Sequence, residues 1–493
     1  MSFTEIVEFS LFRACLISLL SMLVAQSLQP ALKTERLWQT RLIWGALLAP
    51  FFCPDLLVGY AYYNFSLSLV HHPVWNEWFY GLLVTLKTIP LATILLYFSP
   101  PSPLSAEAFY CRELLNRSQS ARFSKLSWWC GPRWLWWVRG PGLRLLPAGG
   151  LVFLIAFQEF EICTLMNTTA WTLNLFDRRA IGWESTRVYQ LGLRPLGVEL
   201  LVLLIILFAY LKLTKQTNKT DRPIVKPLSS AREGLTWAYL AFAFVVILLI
   251  PVGLVFRGSI AGWTVFLTNS SLLRETGYAC GFAAISGVLA HGTAVYWVGR
   301  GQLVWWSRIL LFLVCLPGLC GSFLMSLTVL ELFQKTSLYH LYDTPLPLIT
   351  GLYLFVLPRA VLIQFIRRDA TQRESTFLAK TLRNSPVIAH RREGWQLCWE
   401  QNLWPQFWCL IPVCFWTYFD MTTPSILASP ATTPAPYRLY NLMHYGQGTG
   451  LSAMLSATIA APCLFITLLI VFLKTIQWIH LRRLMTHRNS NSL

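Results

Sequence analysis

The sequence predicts an all-α integral membrane protein with about eleven transmembrane helices in two pseudo-repeated halves. Apolar composition, segregated positive charge and a weak internal repeat carry that expectation. Of 493 residues, 55% are hydrophobic and only 13% charged, with a mean hydropathy of +0.51; a soluble domain of ordinary composition carries about 25% charged residues. Lipid offers a backbone no hydrogen bonds, so a chain with windows of roughly 20 uncharged residues crosses as α-helices. The same continuous runs exclude a β-barrel.

Apolar windows fall near residues 7–27, 42–62, 79–98, 145–164, 196–213, 236–256, 277–297, 309–333, 345–366, 403–420 and 450–474. Those at 42–62 and 403–420 each hold proline and an acidic residue. Orientation follows from the 40 basic residues, which outnumber the 22 acidic ones and give a net charge of +18. With the N-terminus outside, about 29 of them lie in the loops near 28–41, 99–144, 212–235, 298–308, 367–402 and after 473. About eight lie on the other side, and Arg13, Lys87 and Arg359 lie within spans. Inner loops retain positive charge, so the C-terminus is inside.

Because the basic residues sit in short loops and do not interleave with aromatics on a soluble face, the charge implies no nucleic-acid partner. The partner is the bilayer, and 22 Trp and 18 Tyr fit interfacial belts. Twelve Cys, most of them in or beside apolar spans, read as small buried hydrophobes. Met1-Ser2-Phe3-Thr4-Glu5 lacks the basic start of a cleaved signal peptide, so the first span reads as retained.

Two inner loops are long, 99–144 and 367–402, and each precedes a span of unusual character. The first reads Leu146-Pro147, an apolar run, then Glu159-Phe160-Glu161 and Thr164; the second reads Leu403-Trp404-Pro405, an apolar run, then Phe419-Asp420 and Thr422. Leu115, Ser118 and Trp128 match Leu382, Ser385 and Trp395 at one constant offset. Duplicated halves are a recurrent transporter architecture, with the pore formed between the repeats. The expected division is 1–213 for the first half, 214–235 for a cytoplasmic linker, 236–480 for the second half and 481–493 for a cytoplasmic tail.

These residues resemble the fused, two-repeat permeases of binding-protein-dependent ABC importers, in particular the iron(III)-type group. The likeness is clearest over Leu145 to Asp177, with Thr169-Ala170-Trp171-Thr172 and Leu175-Phe176-Asp177, and extends over 375–475, including Arg438-Leu439-Tyr440-Asn441-Leu442-Met443-His444-Tyr445-Gly446. It implies a type I importer permease fold in a bacterial cytoplasmic (inner) membrane, with no cofactor of its own. It further implies a cytoplasmic coupling helix in each half, docked on ATP-binding cassette ATPase subunits, and a periplasmic solute-binding protein that delivers the cargo. The coupling positions fall at Leu115, Asn116 and Ser118 and at Leu382, Asn384 and Ser385. Asn116-Arg117-Ser118 and Arg383-Asn384-Ser385 stand where that family typically carries Gly, and Ala106-Glu107-Ala108 resembles a remnant of its Glu-Ala-Ala.

Charges inside spans cost about 2.5 to 3.5 kcal/mol and usually face a bundle interior or an aqueous path. Glu159, Glu161 and Asp420, equivalent in the two halves, are candidates for the translocation path; the alternative is a helix-end carboxylate at the outer interface. Asp55 and Glu199 fall under the same suspicion, whereas Arg13, Lys87 and Arg359 read as snorkelling or interhelical pairs. His71-His72 and His444 lie in outer loops and make a poor metal chelate, while His291 reads as packed against a neighbouring helix. Trp128, Trp129, Trp134, Trp136 and Trp137 read as an interfacial segment of the first long loop.

No GxxxxGK[ST], GxSxG or HExxH motif is present, so the expectation is a non-enzymatic permease driven by a separate motor. A membrane-embedded lipid- or polymer-modifying enzyme using Asp55, His71, His72 and Glu77 is one rival. A transport-incompetent scaffold derived from a permease is another.

Overall fold

The computed structural model describes residues 2–33, 37–99, 141–214, 230–268, 271–299, 305–370, 373–444 and 450–490. The described residues contain helices and no strand. Eight helices are long and apolar enough to cross a membrane, and two bent helix pairs raise the number to ten. The chain divides into two compact units, Met1–Gly253 and Leu254–Leu493.

Unit 1 opens with α1 (Phe3–Leu28), started by a capping box in which the Ser2 hydroxyl accepts from Glu5 N and Ser2 N donates to the Glu5 carboxylate. A bent pair follows, α2 (Leu37–Phe51) and α3 (Asp55–Ser68), turned through 67° where Pro54 denies α3 a backbone donor. The window read as 42–62 is therefore two helices. Next come α4 (Pro73–Phe98), α5 (Pro141–Phe157), two short helices α6 (Glu161–Leu165) and α7 (Trp171–Ala180), and the long α8 (Ser185–Thr214). Helix α1 packs on α4 and α5, α5 on α8, and α3 on α6. Small residues let these helices approach: Ala25, Ala92 and Ala148 share one core with Met22, Leu91, Leu96 and Val152.

Helix α9 (Ser230–Phe244) runs through a π-helical turn at Val245–Leu249 into α10 (Ile250–Thr268). This helix reaches well past residue 256, where the apolar window was expected to end, because the sequence stays apolar to Thr268.

Unit 2 then repeats the order of unit 1. A long helix, α11 (Ser271–Gly299), precedes a pair bent by 97°, α12 (Trp305–Leu319) and α13 (Ser322–Lys335). The bend sits at Gly321, whose φ of 84° lies in the left-handed region that only glycine occupies readily. After α14 (Leu346–Ala370) comes a helical hairpin, α15 (Arg373–Arg383) and α16 (Ile388–Cys398). A π-helical turn at Trp399–Leu403 leads into α17 (Trp404–Phe419), followed by short α18 (Thr422–Leu427), α19 (Ala435–His444) and long α20 (Leu451–Ser490). Packing repeats as well: α11 meets α14 and α17 as α1 meets α4 and α5, and α13 meets α18 as α3 meets α6. Its core again uses small residues, Ala290, Ala294 and Ala360, beside Val356, Leu357 and Val413.

Candidate functional site

Each unit has an apolar helix that stops short, leaves an acidic residue at the break and resumes as a helix of one or two turns. In unit 1, α5 ends at Phe157 and Glu159 caps α6, its carboxylate accepting from Ile162 N (2.6 Å) and Cys163 N (3.1 Å). Tyr80 of α4 donates to the same carboxylate at 2.5 Å. In unit 2, α17 ends at Phe419 and Asp420 caps α18 by accepting from Thr423 N (3.2 Å). Glu159 and Asp420 occupy the same place in the element order and satisfy orphan donors of a helix N-terminus, whereas Glu161, which follows Phe160 as Asp420 follows Phe419, is the first residue of α6.

Around the first break the polar groups are closely matched. Arg13 of α1 pairs with Glu77 of α4 at 2.8 Å, donates to the Thr169 carbonyl at 2.9 Å and lies 4.4 Å from the Tyr80 ring centroid. Thr169 N returns a bond to Glu77 at 2.9 Å. Ser66 and Asn76 both donate to the Met166 carbonyl, and Trp171 Nε1 donates to the Phe157 carbonyl that α5 leaves free. Lys87 bridges the other break of unit 1, donating to the Cys53 carbonyl (2.7 Å) at the end of α2 and pairing with Asp55 at the start of α3. Such placement puts a cation at a helix C-terminus and an anion at an N-terminus, as the macrodipoles favour. Glu161, half-buried, lies within electrostatic range of Lys87. Glu199 of α8 is fully buried beside Gln158.

Unit 2 is arranged differently at the corresponding level. Arg359 of α14 donates to its own Phe355 carbonyl, lies over the Phe355 ring at 3.9 Å and acts electrostatically on Asp420. At the N-terminal end of α11, Arg438 of α19 pairs with Glu275 and donates to Ser271.

The α15–α16 hairpin carries the second set of predicted coupling positions. Leu382 lies in the last turn of α15, and Asn384 and Ser385 form the turn. The Ser385 hydroxyl accepts from Val387 N (3.2 Å) and its carbonyl accepts from Arg391 Nε (3.3 Å). A Cβ on Gly394 would collide with the backbone of Leu382 and Arg383, so the two helices touch through their main chains. Phe377 (74% exposed), Leu378 and Lys380 form an outward apolar and basic face. The first set, Leu115, Asn116 and Ser118, together with the Trp128 to Trp137 cluster, lies outside the described residues.

Several participants carry no charge and were not singled out from the sequence: Ser66, Asn76 and Tyr80. Their signal was a strong hydrogen-bonding group within an otherwise apolar span. The residues of the enzyme rival are dispersed among other roles, with Asp55 on Lys87, Glu77 on Arg13, and His71 and His72 exposed in the turn before α4. Among the described residues no group of three His, Cys, Asp or Glu side chains is arranged to hold a metal ion. No protein-family model matches this chain, and no curated protein matches its sequence.

Proposed function

We propose that this chain is the fused permease subunit of a binding-protein-dependent ABC importer in a bacterial inner membrane. One polypeptide supplies both permease halves, with eleven spans, the N-terminus outside and the C-terminus in the cytoplasm. The observation that carries this reading is the repeated order of elements: long helix, bent pair, long helix, inner segment, interrupted span, short helices, long helix. In the second copy the inner segment is a rigid hairpin with an exposed apolar and basic face directly before the interrupted span, the position from which an attached motor can act. The sequence carries no nucleotide-binding signature, so ATP hydrolysis is assigned to separate subunits. The cargo is a small solute handed over by an extracytoplasmic binding protein, and iron(III) is the cargo suggested by the family likeness.

The test is reconstitution in lipid nanodiscs with any ATP-binding cassette ATPase subunit found encoded beside this chain. Stable co-purification, and ATP hydrolysis that rises when cargo-loaded binding protein is added, are the expected results. Failure of every neighbouring ATPase to associate would overturn the reading.

A further inference from the structure

The hairpin and the interrupted span of unit 2 are one piece of helix. Residues 388–419 are helical without a break, through α16, the π turn Trp399–Leu403 and α17. At 1.5 Å per residue this is a rod of roughly 48 Å. One end is fixed to α15 by the close approach at Gly394 and by the Arg383 guanidinium over the Trp395 ring at 5.3 Å. The other end stops at Phe419, where Tyr418 donates to the Thr458 carbonyl (2.9 Å) and Asp420 begins the cap of α18.

Between these ends a polar cluster grips the rod at its π turn. Gln364 of α14 is 1% exposed and its amide lies 2.9 Å from the amide of Gln406 of α17. With its amide oxygen turned to the guanidinium, Gln406 accepts from Arg367 Nη2 (2.8 Å) and its nitrogen donates to His291 Nε2 of α11 (3.0 Å). Arg367 also donates to Gln364 (3.1 Å) and to Asn402 within the π turn (3.4 Å). Two turns further along, a Cβ on Gly287 of α11 would meet Cys414 Sγ at 2.7 Å, so the rod is held tightly there too. Hydrogen bonds in such a partly buried cluster resist sliding more than apolar contacts do, because a displaced partner is left unsatisfied. A π turn also distorts the regular hydrogen-bond ladder, and such turns are common at functional positions.

We infer that residues 388–419 are a lever whose fulcrum is the Gln364–Gln406–Arg367–His291 cluster, so that displacement of the hairpin is delivered to the Asp420 cap of α18. That an ATPase drives the displacement rests on the function proposed above; the lever belongs to unit 2 alone and is tested without a motor. Amide hydrogen exchange of the full chain in nanodiscs supplies the readout. Gly394→Ala forces α15 and α16 apart, and exchange at Thr422–Leu427 should rise about tenfold while α11 and α14 are unchanged. In a Gln406→Leu background the rise at Thr422–Leu427 should vanish while the hairpin itself still exchanges faster. Trp395→Ala, a milder loosening of the same hairpin, carries the test if Gly394→Ala does not fold. A response confined to residues 373–398, or one spread evenly over every helix of unit 2, would overturn the lever.

Discussion

Arg13 and Glu77, 64 residues apart in the chain, meet at 2.8 Å inside unit 1, and the backbone of Thr169 bonds to both. This closed arrangement joins α1, α4 and the segment after the break in a single polar unit. Its energetic logic is asymmetric, since removing one partner strands the other in a desolvated site.

Arg13→Met or Glu77→Leu alone is therefore expected to lose about 3 kcal/mol or more of stability, and the double substitution less than either single one. Unfolding of the purified variants in nanodiscs measures this. Additive losses would show that the two side chains do not act as a pair.

Close helix approach gives a second test. A Cβ on Gly318 of α12 would meet the Pro358 ring of α14 at 3.0 Å and the Leu354 carbonyl more closely still. Neither neighbour can rotate away, so Gly318→Ala should cost about 1 to 3 kcal/mol. Gly45 of α2 has nothing within 4 Å of its added Cβ, and Gly45→Ala should instead gain up to about 1 kcal/mol.

Glu159 separates a capping role from a transport role. Glu159→Ala removes the acceptor of two α6 amides and of Tyr80, and should lower stability by about 1 to 2 kcal/mol with faster exchange at Ile162 and Cys163. Unchanged stability with transport abolished would place the carboxylate in the path and not in the cap.

The exposed face of the hairpin tests the motor. Phe377→Asp lies on the surface and should change stability by less than about 0.5 kcal/mol. Loss of ATPase co-purification at unaltered stability is the expected outcome; retained association would move the docking site elsewhere.

Orientation is open to labelling. Asn384→Cys and His72→Cys both place a thiol at an exposed turn, and an impermeant maleimide should reach them from opposite sides of sealed vesicles. Labelling of both from one side would break the proposed order of spans.

Much of this was legible in the residues. Apolar windows located the long helices because crossing lipid demands length and low polarity, whereas the Phe-acid-Thr pattern pointed to Glu161 in the first half, although Glu159 is the acid that accepts from the free amides of α6. Proline marked the window at 42–62, but only the structure shows that the chain turns there by 67° and that Lys87 of α4 bonds across the break. Gln364 and Gln406 looked like isolated polar residues until α14 and α17 brought them to 2.9 Å.

By itself the sequence determined that the chain is a helical membrane protein, because hydropathy and charge act locally and each window reports its own solvent. Only the tertiary structure decided which charges meet, that Glu159 and Asp420 accept from the first amides of α6 and α18, and that the hairpin runs unbroken into α17. Those outcomes depend on which helices become neighbours. A one-dimensional pattern carries no such information, since one side chain can be matched by donors from any helix within reach.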